Sequence, residues 1–165
     1  MAAADFYAMC AHELRCTLDA LYADYAGCLN DEAFEQWPDF FTADCVYRII
    51  PRENFERGLP LATWHCENRA YLRDRVTAIR NTMIYAPRHV RRMVTGLRIL
   101  GWRDGVLETR ACYLAVQTLL DEHTRIFNAG EYHDKLVVEE GRLKFREKLC
   151  VFDSVLIPNS LIYPL

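Results

Sequence analysis

Histidine and cysteine are the side chains in this sequence that could bind a transition metal, but their spacing does not favour a metal site. An iron–sulfur cluster held by two thiolates and two imidazoles needs two spaced cysteine–histidine pairs, and Cys10-x-His12 is the one C-x-H pair in the sequence. A mononuclear iron centre needs two histidines and a carboxylate on one face. His133 lies on a predicted strand and His123 lies just before it, roughly 33 Å away at full extension, so the two cannot share an ion. The spacing therefore predicts neither metal nor cofactor ligands in this chain.

Covalent catalysis and nucleotide binding also lack a matching motif. Ser154 and Ser160 do not lie in a G-x-S-x-G turn, and the sequence contains neither G-x-x-x-x-G-K-[ST] nor G-x-G-x-x-G. The strongest basic run consists of Arg88, His89, Val90, Arg91 and Arg92. Neighbours on a strand face opposite ways, so this run is not one continuous stripe. Because the net charge is −3, the sequence predicts no binding of nucleic acid.

One catalytic alternative stays open at this point. A pocket between a sheet and its helices could use Asp44, Tyr47, His89 or Asp153 for acid–base chemistry, if burial shifted their pKa values. On that interpretation the chain is a self-contained isomerase or dehydratase, or a ligand-binding domain.

The elements that must position these residues are clearest in the last third of the chain. Three consecutive strands are predicted at 106–120, 124–138 and 142–153, joined by short polar turns. In the first of them, one side carries Leu107, Thr109, Ala111, Tyr113 and Ala115. In the last, one parity carries Leu143, Phe145, Leu149 and Val151, and the other carries Lys144, Arg146 and Lys148. The pattern predicts an antiparallel meander with one apolar face.

Upstream segments must cover that apolar face. Helices are predicted at 5–29, 31–37 and 67–83, the last with Asn68 as its N-terminal cap. The remaining segments are a strand at 42–50, a polar loop at 51–60, a short strand or helix lead-in at 61–66, and a strand at 88–100. This order predicts one α+β domain over residues 1–165, with a curved, mostly antiparallel sheet packed on about three helices.

The composition and the N-terminal residues predict the cellular location of such a domain. Hydrophobic residues make up 52% of the chain, yet no apolar run approaches the roughly 20 residues of a membrane helix. Residues 1–6 lack the basic and apolar blocks of a signal peptide, so we expect a cytoplasmic protein without membrane contact. The seven cysteines are odd in number and contain no C-x-x-C pair, which favours buried small hydrophobic residues over disulfides or redox work.

Several segments together resemble one family. They are E-Q-W-P-D-F-F at 35–41 with Asp44, Tyr47 and Arg48, P-R-E-N-F-E-R-G-L-P at 51–60, R-D-R-V at 73–76, F-N-A-G-E-Y at 127–132, Asp153 with Ser154, and P-N-S-L-I-Y-P at 158–164. In order and spacing, the chain resembles the small (beta) subunit of Rieske-type aromatic-ring-hydroxylating oxygenases. The loop at 51–60 and the tail look most similar to the small subunit of the salicylate hydroxylase that forms gentisate. The segment at 35–41 is also similar to the small subunits of terephthalate and anthranilate dioxygenases.

The resemblance implies a division of labour between two subunits. The large alpha subunit of such oxygenases carries the [2Fe-2S] Rieske cluster, the mononuclear iron and the substrate pocket. The beta subunit adopts an NTF2-like or SnoaL-like cone and holds the alpha subunits together, commonly as α3β3. Electrons come from NAD(P)H through a reductase and often a ferredoxin. No catalytic residue is then expected in this chain.

The same resemblance directs attention to residues that could contact the alpha subunit. Arginine and aromatic side chains are the common anchors of protein interfaces. Loop length, charge and position along the chain nominate Arg52, Glu53, Asn54, Arg88, Arg91, Arg92, Tyr163 and Leu165. Packing of the tail on its own sheet is the alternative for the last two.

Overall fold

The computed structural model describes residues 3–82, 84–154 and 161–165. Met83, predicted to end a helix, and residues 155–160, which include part of the tail motif, lie outside the described residues. The helices are α1 (Ala3–Tyr7), α2 (Ala11–Asn30), α3 (Arg52–Glu56) and α4 (Arg69–Asn81), with a 3₁₀ helix at Trp37–Phe40. The strands are β1 (Phe41–Pro51), β2 (Trp64–Cys66), β3 (Arg88–Arg103), β4 (Val106–Leu119), β5 (Arg125–Glu139) and β6 (Arg142–Phe152).

All six strands form one sheet in the order β2-β1-β6-β5-β4-β3. The pairs from β3 to β6 are antiparallel, which confirms the predicted meander. Strand β1 pairs antiparallel with β2 and parallel with β6, so the sheet is mostly antiparallel as predicted. The α+β class is confirmed, with α2 and α4 packed on the sheet as the two longest helices.

The single N-terminal helix predicted at 5–29 is interrupted before Ala11, so the structure has the two helices α1 and α2 there. Cys10 is extended there and caps α2 in a reciprocal box. The Glu13 carboxylate accepts from the Cys10 N–H at 2.9 Å, and the Cys10 sulfur accepts from the Glu13 N–H at 3.4 Å. The predicted helix at 31–37 is wrong, since Glu32 has a φ of 57° and the chain turns before the 3₁₀ helix. The predicted cap Asn68 is confirmed, because its side chain accepts from the Tyr71 N–H.

A β-bulge in β6 reverses which side chains face the core. The β5–β6 register slips between the pair Leu136–Phe145 and the pair Lys135–Glu147. Phe145 faces the core before the bulge, and Lys148 faces it after the bulge, both fully buried. The prediction that Lys148 lies on the polar face is therefore wrong.

The opposite face of β6 changes in the same way. Leu149 and Val151 form a small outer cluster with Ile50, and Phe55 from α3 packs against it. The prediction that these two residues share the core face with Phe145 is wrong, because the bulge shifts parity by one residue. The loop at 51–60 thus covers the outer face of β1 and β6.

The cysteines follow the prediction only in part. Cys45, Cys66 and Cys150 are buried, while Cys28 is partly buried. Burial raises the pKa of the Cys150 thiol to about 12, so this thiol stays protonated at neutral pH. The exposed thiols are those of Cys10, Cys16 and Cys112. Across the described ranges, no helix is long and apolar enough to cross a membrane.

Candidate functional site

The core contains a buried polar row that crosses three strands. Thr109 on β4 pairs with Asp134 on β5, and Asp134 pairs with Lys148 on β6. The Lys148 ammonium donates to Asp134 Oδ2 at 2.9 Å, and both side chains have no exposed surface. From α2, the Tyr22 hydroxyl donates to the same Asp134 oxygen at 2.5 Å and lies 2.9 Å from Thr109 Oγ1.

Aromatic rings enclose the Lys148 ammonium. The nitrogen lies 3.5 Å from the centre of the Tyr132 ring, 4.4 Å from Phe145, 4.6 Å from Tyr25 and 5.1 Å from Tyr22. Ring faces carry partial negative charge and attract a cation, most strongly where water is excluded. The ring cluster and Asp134 together replace the water that Lys148 loses on burial.

The electrostatics of this row are those of a structural ion pair. Burial raises the pKa of Asp134 above its usual range, and the Lys148 charge opposes that rise. Burial also raises the pKa of Tyr22, and the Asp134 charge adds to the rise. Among the described residues, no hydrogen-bond partner reaches the second Asp134 oxygen or the buried Tyr132 hydroxyl. Because general acid–base catalysis requires contact with the substrate, this enclosed row is not a catalytic centre as it stands.

The end of the chain enters the space beside this row. Leu165 is fully buried, and its main-chain oxygen accepts from the Tyr25 hydroxyl at 2.7 Å and from the Tyr47 hydroxyl at 3.1 Å. The Leu165 N–H donates to the Tyr47 oxygen at 2.9 Å. The Arg92 guanidinium donates to the Pro164 oxygen from Nε at 2.8 Å and from Nη2 at 2.6 Å. Residues 161–165, here called the tail, are thus held by side chains from α2, β1 and β3.

The pocket of the catalytic alternative is not assembled. Of its four nominated residues, Asp44, His89 and Asp153 are exposed, while Tyr47 is buried against the tail. Burial raises the pKa of Tyr47, so its hydroxyl stays protonated at neutral pH. The structure therefore does not bring these four side chains together at a substrate site.

Five of the eight nominated interface residues lie at or near the surface. Arg52 and Glu53 are exposed on α3, and Arg52 Nε donates to Asp153 at 2.8 Å. Asn54 is partly buried and donates to the Leu61 oxygen at 2.8 Å. On the edge strand β3, Arg91 is exposed and lies 3.8 Å from Asp31, and the Arg88 guanidinium covers the Tyr85 ring at 5.5 Å.

The other three nominated residues are directed into this chain. Arg92 is 3% exposed, and Leu165 is not exposed at all. Tyr163 is 6% exposed, with its ring 4.9 Å from that of Phe34 and 5.5 Å from that of Tyr85. The structure thus favours the alternative in which the tail packs on its own sheet. Sequence reasoning missed that Tyr25 and Arg92 bind the tail, since nothing in the local pattern relates residues so far apart.

Metal ligands are not gathered anywhere in the described parts of the chain. No group of three or more histidine, cysteine, aspartate or glutamate side chains converges within residues 3–82, 84–154 and 161–165. These residues therefore do not fit a Rieske cluster, which needs two thiolates and two imidazoles. A wide cleft of about 1100 Å³ does open between α2 and the β5–β6 turn. It is lined by both acidic and basic side chains and does not reach the buried row.

The fold of this chain is that of NTF2-like and SnoaL-like domains. The family model of the ring hydroxylating beta subunit matches residues 25–159. The anthranilate 1,2-dioxygenase small subunit of Burkholderia cepacia is 37% identical over 86% of this chain and 88% of its own length. A terephthalate 1,2-dioxygenase beta subunit of Comamonas is 32% identical over 88% of this chain and 95% of its own length. The chain belongs to the family of ring-hydroxylating oxygenase beta subunits.

A solved structure agrees with that membership. A crystal structure assigned to the beta subunit of an aromatic-ring-hydroxylating dioxygenase from Novosphingobium aromaticivorans superimposes with a TM-score of 0.85 at 33% identity. It covers 94% of this chain and 99% of the other. The family is the non-catalytic small subunit of an oxidoreductase, and it implies a large alpha subunit as partner.

Proposed function

We propose that this chain is the structural small subunit of a cytoplasmic oxygenase that hydroxylates a carboxylated arene such as salicylate, anthranilate or terephthalate. The alpha subunits carry the Rieske cluster and the mononuclear iron, and the two kinds of subunit assemble as α3β3. Electrons reach the complex from NAD(P)H through a reductase, often with a ferredoxin between the two. The printed functions of the relatives and the resemblance of the loop at 51–60 support this substrate class.

The observation that carries the proposal is the filled interior. The tail packs into the same buried core cluster as the aromatic side chains, and Leu165 is fully buried there. A pocket enzyme would need an open cavity with converging acid–base groups, whereas Asp44, His89 and Asp153 are exposed. The geometry therefore suits a scaffold better than a self-contained catalyst.

Assembly with the alpha subunit is tested by co-purification. Size-exclusion chromatography with light scattering is run on this chain alone and on this chain co-expressed with its alpha partner. We expect a joint peak near the mass of a hexamer, with the visible absorbance of iron only when alpha is present. A colourless small oligomer that does not bind alpha would contradict the proposal and return weight to a pocket protein.

We further propose that the surface members of the nominated set contact alpha: Arg52, Glu53, Asn54, Arg88 and Arg91. Arg92, Tyr163 and Leu165 then support the interface indirectly, because they hold the tail inside the cone. This assignment rests on exposure and charge, since arginine is a frequent anchor of interfaces.

Alanine at Arg52 and Arg91 together is expected to weaken assembly with alpha by about tenfold or more, because truncated interface anchors each cost roughly 1–2 kcal/mol. The matched control is Arg142→Ala, which removes an exposed arginine at the β5–β6 turn outside the nominated set. The measurement is the fraction of chain in the joint peak over a dilution series. If both variants assemble like the unmodified chain, these two arginines are not interface anchors.

A further inference from the structure

The tail is held mainly through its main chain. Trp64 Nε1 donates to the Leu161 oxygen at 3.2 Å, and Arg92 donates twice to the Pro164 oxygen. At Leu165 the main-chain oxygen and N–H both bond to the Tyr47 hydroxyl. Proteins that bind an extended peptide also recognise it through hydrogen bonds to its main chain.

The groups that make these bonds are themselves deeply buried. Tyr25 and Tyr47 have no exposed surface, and Arg92 is 3% exposed. Burial raises the pKa of both phenols, so each remains a neutral hydroxyl donor at neutral pH. Buried donors without an acceptor are costly, and the peptide oxygens of the tail are the acceptors that satisfy them. These side chains form a built site for two successive main-chain oxygens, those of Pro164 and Leu165.

Side-chain contacts add selectivity to the backbone contacts. The Leu165 side chain is fully enclosed. The Tyr163 ring packs between Phe34 and Tyr85. A cavity of about 360 Å³ with an open mouth lies beside Tyr163 and is also lined by Tyr85 and Leu120. The site therefore has a tight inner end for leucine and a solvent-facing outer end.

We propose that the interior of the cone is a peptide-binding site that is occupied by the chain's own tail and that binds the same peptide when it is supplied as a separate molecule. The ligand class is an extended apolar peptide with leucine at the inner end and an aromatic residue two positions before it, as in Leu-Ile-Tyr-Pro-Leu. Binding of a separate peptide at this site can be measured on this chain without the alpha subunit, and it does not depend on which arene the oxygenase hydroxylates.

The test cuts the tail from a protein that has already folded. A protease recognition sequence is placed within 155–160, and the purified full chain is cleaved and passed through gel filtration. We expect the released tail fragment to co-elute with the rest of the chain. The labelled peptide Leu-Ile-Tyr-Pro-Leu should then exchange with the fragment, measured by fluorescence anisotropy. The same peptide with aspartate in place of its final leucine should bind at least tenfold more weakly.

A second variant separates specific recognition of the peptide from nonspecific binding. Arg92→Met removes the donor to the Pro164 oxygen, and cleaved protein with this change should bind the peptide at least tenfold more weakly. The matched control is Arg91→Met, which alters the exposed neighbour on the same strand and should leave binding unchanged.

Three results would overturn the proposal. The fragment could separate from a cleaved chain that stays folded and does not bind the labelled peptide. The leucine and aspartate peptides could bind equally. The cleaved chain could lose its folded circular dichroism signal and not regain it with excess peptide, which would make the tail part of the core rather than the ligand of a site.

Discussion

Replacing Lys148 with methionine is expected to lower the free energy of unfolding by about 3–5 kcal/mol, because it leaves the Asp134 carboxylate buried without its cation. The penalty is large for one substitution, since Asp134 and Lys148 are both fully enclosed and no water can replace the lost partner. Methionine preserves the length and apolar packing of the lysine stem among the aromatic rings. The measurement is urea denaturation followed by tryptophan fluorescence.

The penalty should depend on pH in a defined direction. Burial raises the pKa of Asp134 in the folded chain above its ordinary value of 3.8, and Lys148 opposes that rise. A group whose pKa is raised by folding binds its proton more tightly when folded, so stability falls as pH rises through the window above 3.8. Removing Lys148 raises the pKa of Asp134 in the folded chain further, because the opposing charge is lost, and this extends the window to higher pH. The loss caused by Lys148→Met should therefore be smaller at pH 5 than at pH 8.

Two further variants control this result. Lys135→Met removes a cation from the adjacent strand, where Lys135 is half-exposed and lies 3.4 Å from Glu147, and should cost no more than about 1 kcal/mol. Adding Asp134→Asn to Lys148→Met removes the uncompensated charge and should recover much of the loss. Equal losses for the Lys148 and Lys135 variants would show that the buried pair does not stabilise the fold.

Alanine at Gly130 is expected to destabilise the fold by about 3 kcal/mol or more. A Cβ at this position would overlap the Val151 main-chain oxygen and lie 2.8 Å from the Phe152 Cα. Gly130 is paired with Tyr113 on β4 and with Phe152 on β6, so the backbone cannot move away without breaking ladder hydrogen bonds on one side. The measurement is the thermal midpoint, which shifts by about 2–4 °C for each kcal/mol in a chain of this size.

Gly27→Ala is the matched control for this glycine. Gly27 lies within α2, and no atom of the described parts of the chain stands within 4 Å of a Cβ built on it. Alanine favours helix over glycine by about 0.5–1 kcal/mol, so this variant should raise the thermal midpoint. A Gly130→Ala protein as stable as the unmodified chain would mean that β5 and β6 can separate locally at no cost.

Local patterns predicted the elements whose shape depends on neighbours in sequence. Alternation in β4 correctly placed Leu107 and Tyr113 on one face, which the structure buries, and Asn68 was correctly identified as a cap. The same alternation failed in β6, because one extra residue at the bulge inverts everything that follows it. Lys148 therefore appeared as a surface residue, although it is among the most buried in the chain.

The site depended on relations that no local pattern carries. Asp134 and Lys148 meet because of a strand register, and Tyr25 meets Leu165 across 140 positions of sequence. Alternation shows that residues share a face but not which face is buried, so the exposure of Asp44 and Asp153 could not be foreseen. The family resemblance depended on order and spacing along the whole chain, and it was confirmed where the local interpretation of individual side chains was not.

The parallel pairing of β1 with β6 has a consequence for synthesis. Strand β1 ends at Pro51, and its neighbour β6 begins at Arg142, so about 90 residues must be made before the two can meet. At a translation rate of roughly 5–20 residues per second, the apolar β1 waits several seconds with one edge open. Long-range pairing of this kind slows folding and leaves strand edges available to other chains. This sheet is completed last through its sixth strand, so the nascent chain keeps an unpaired strand edge until most of its sequence has been made.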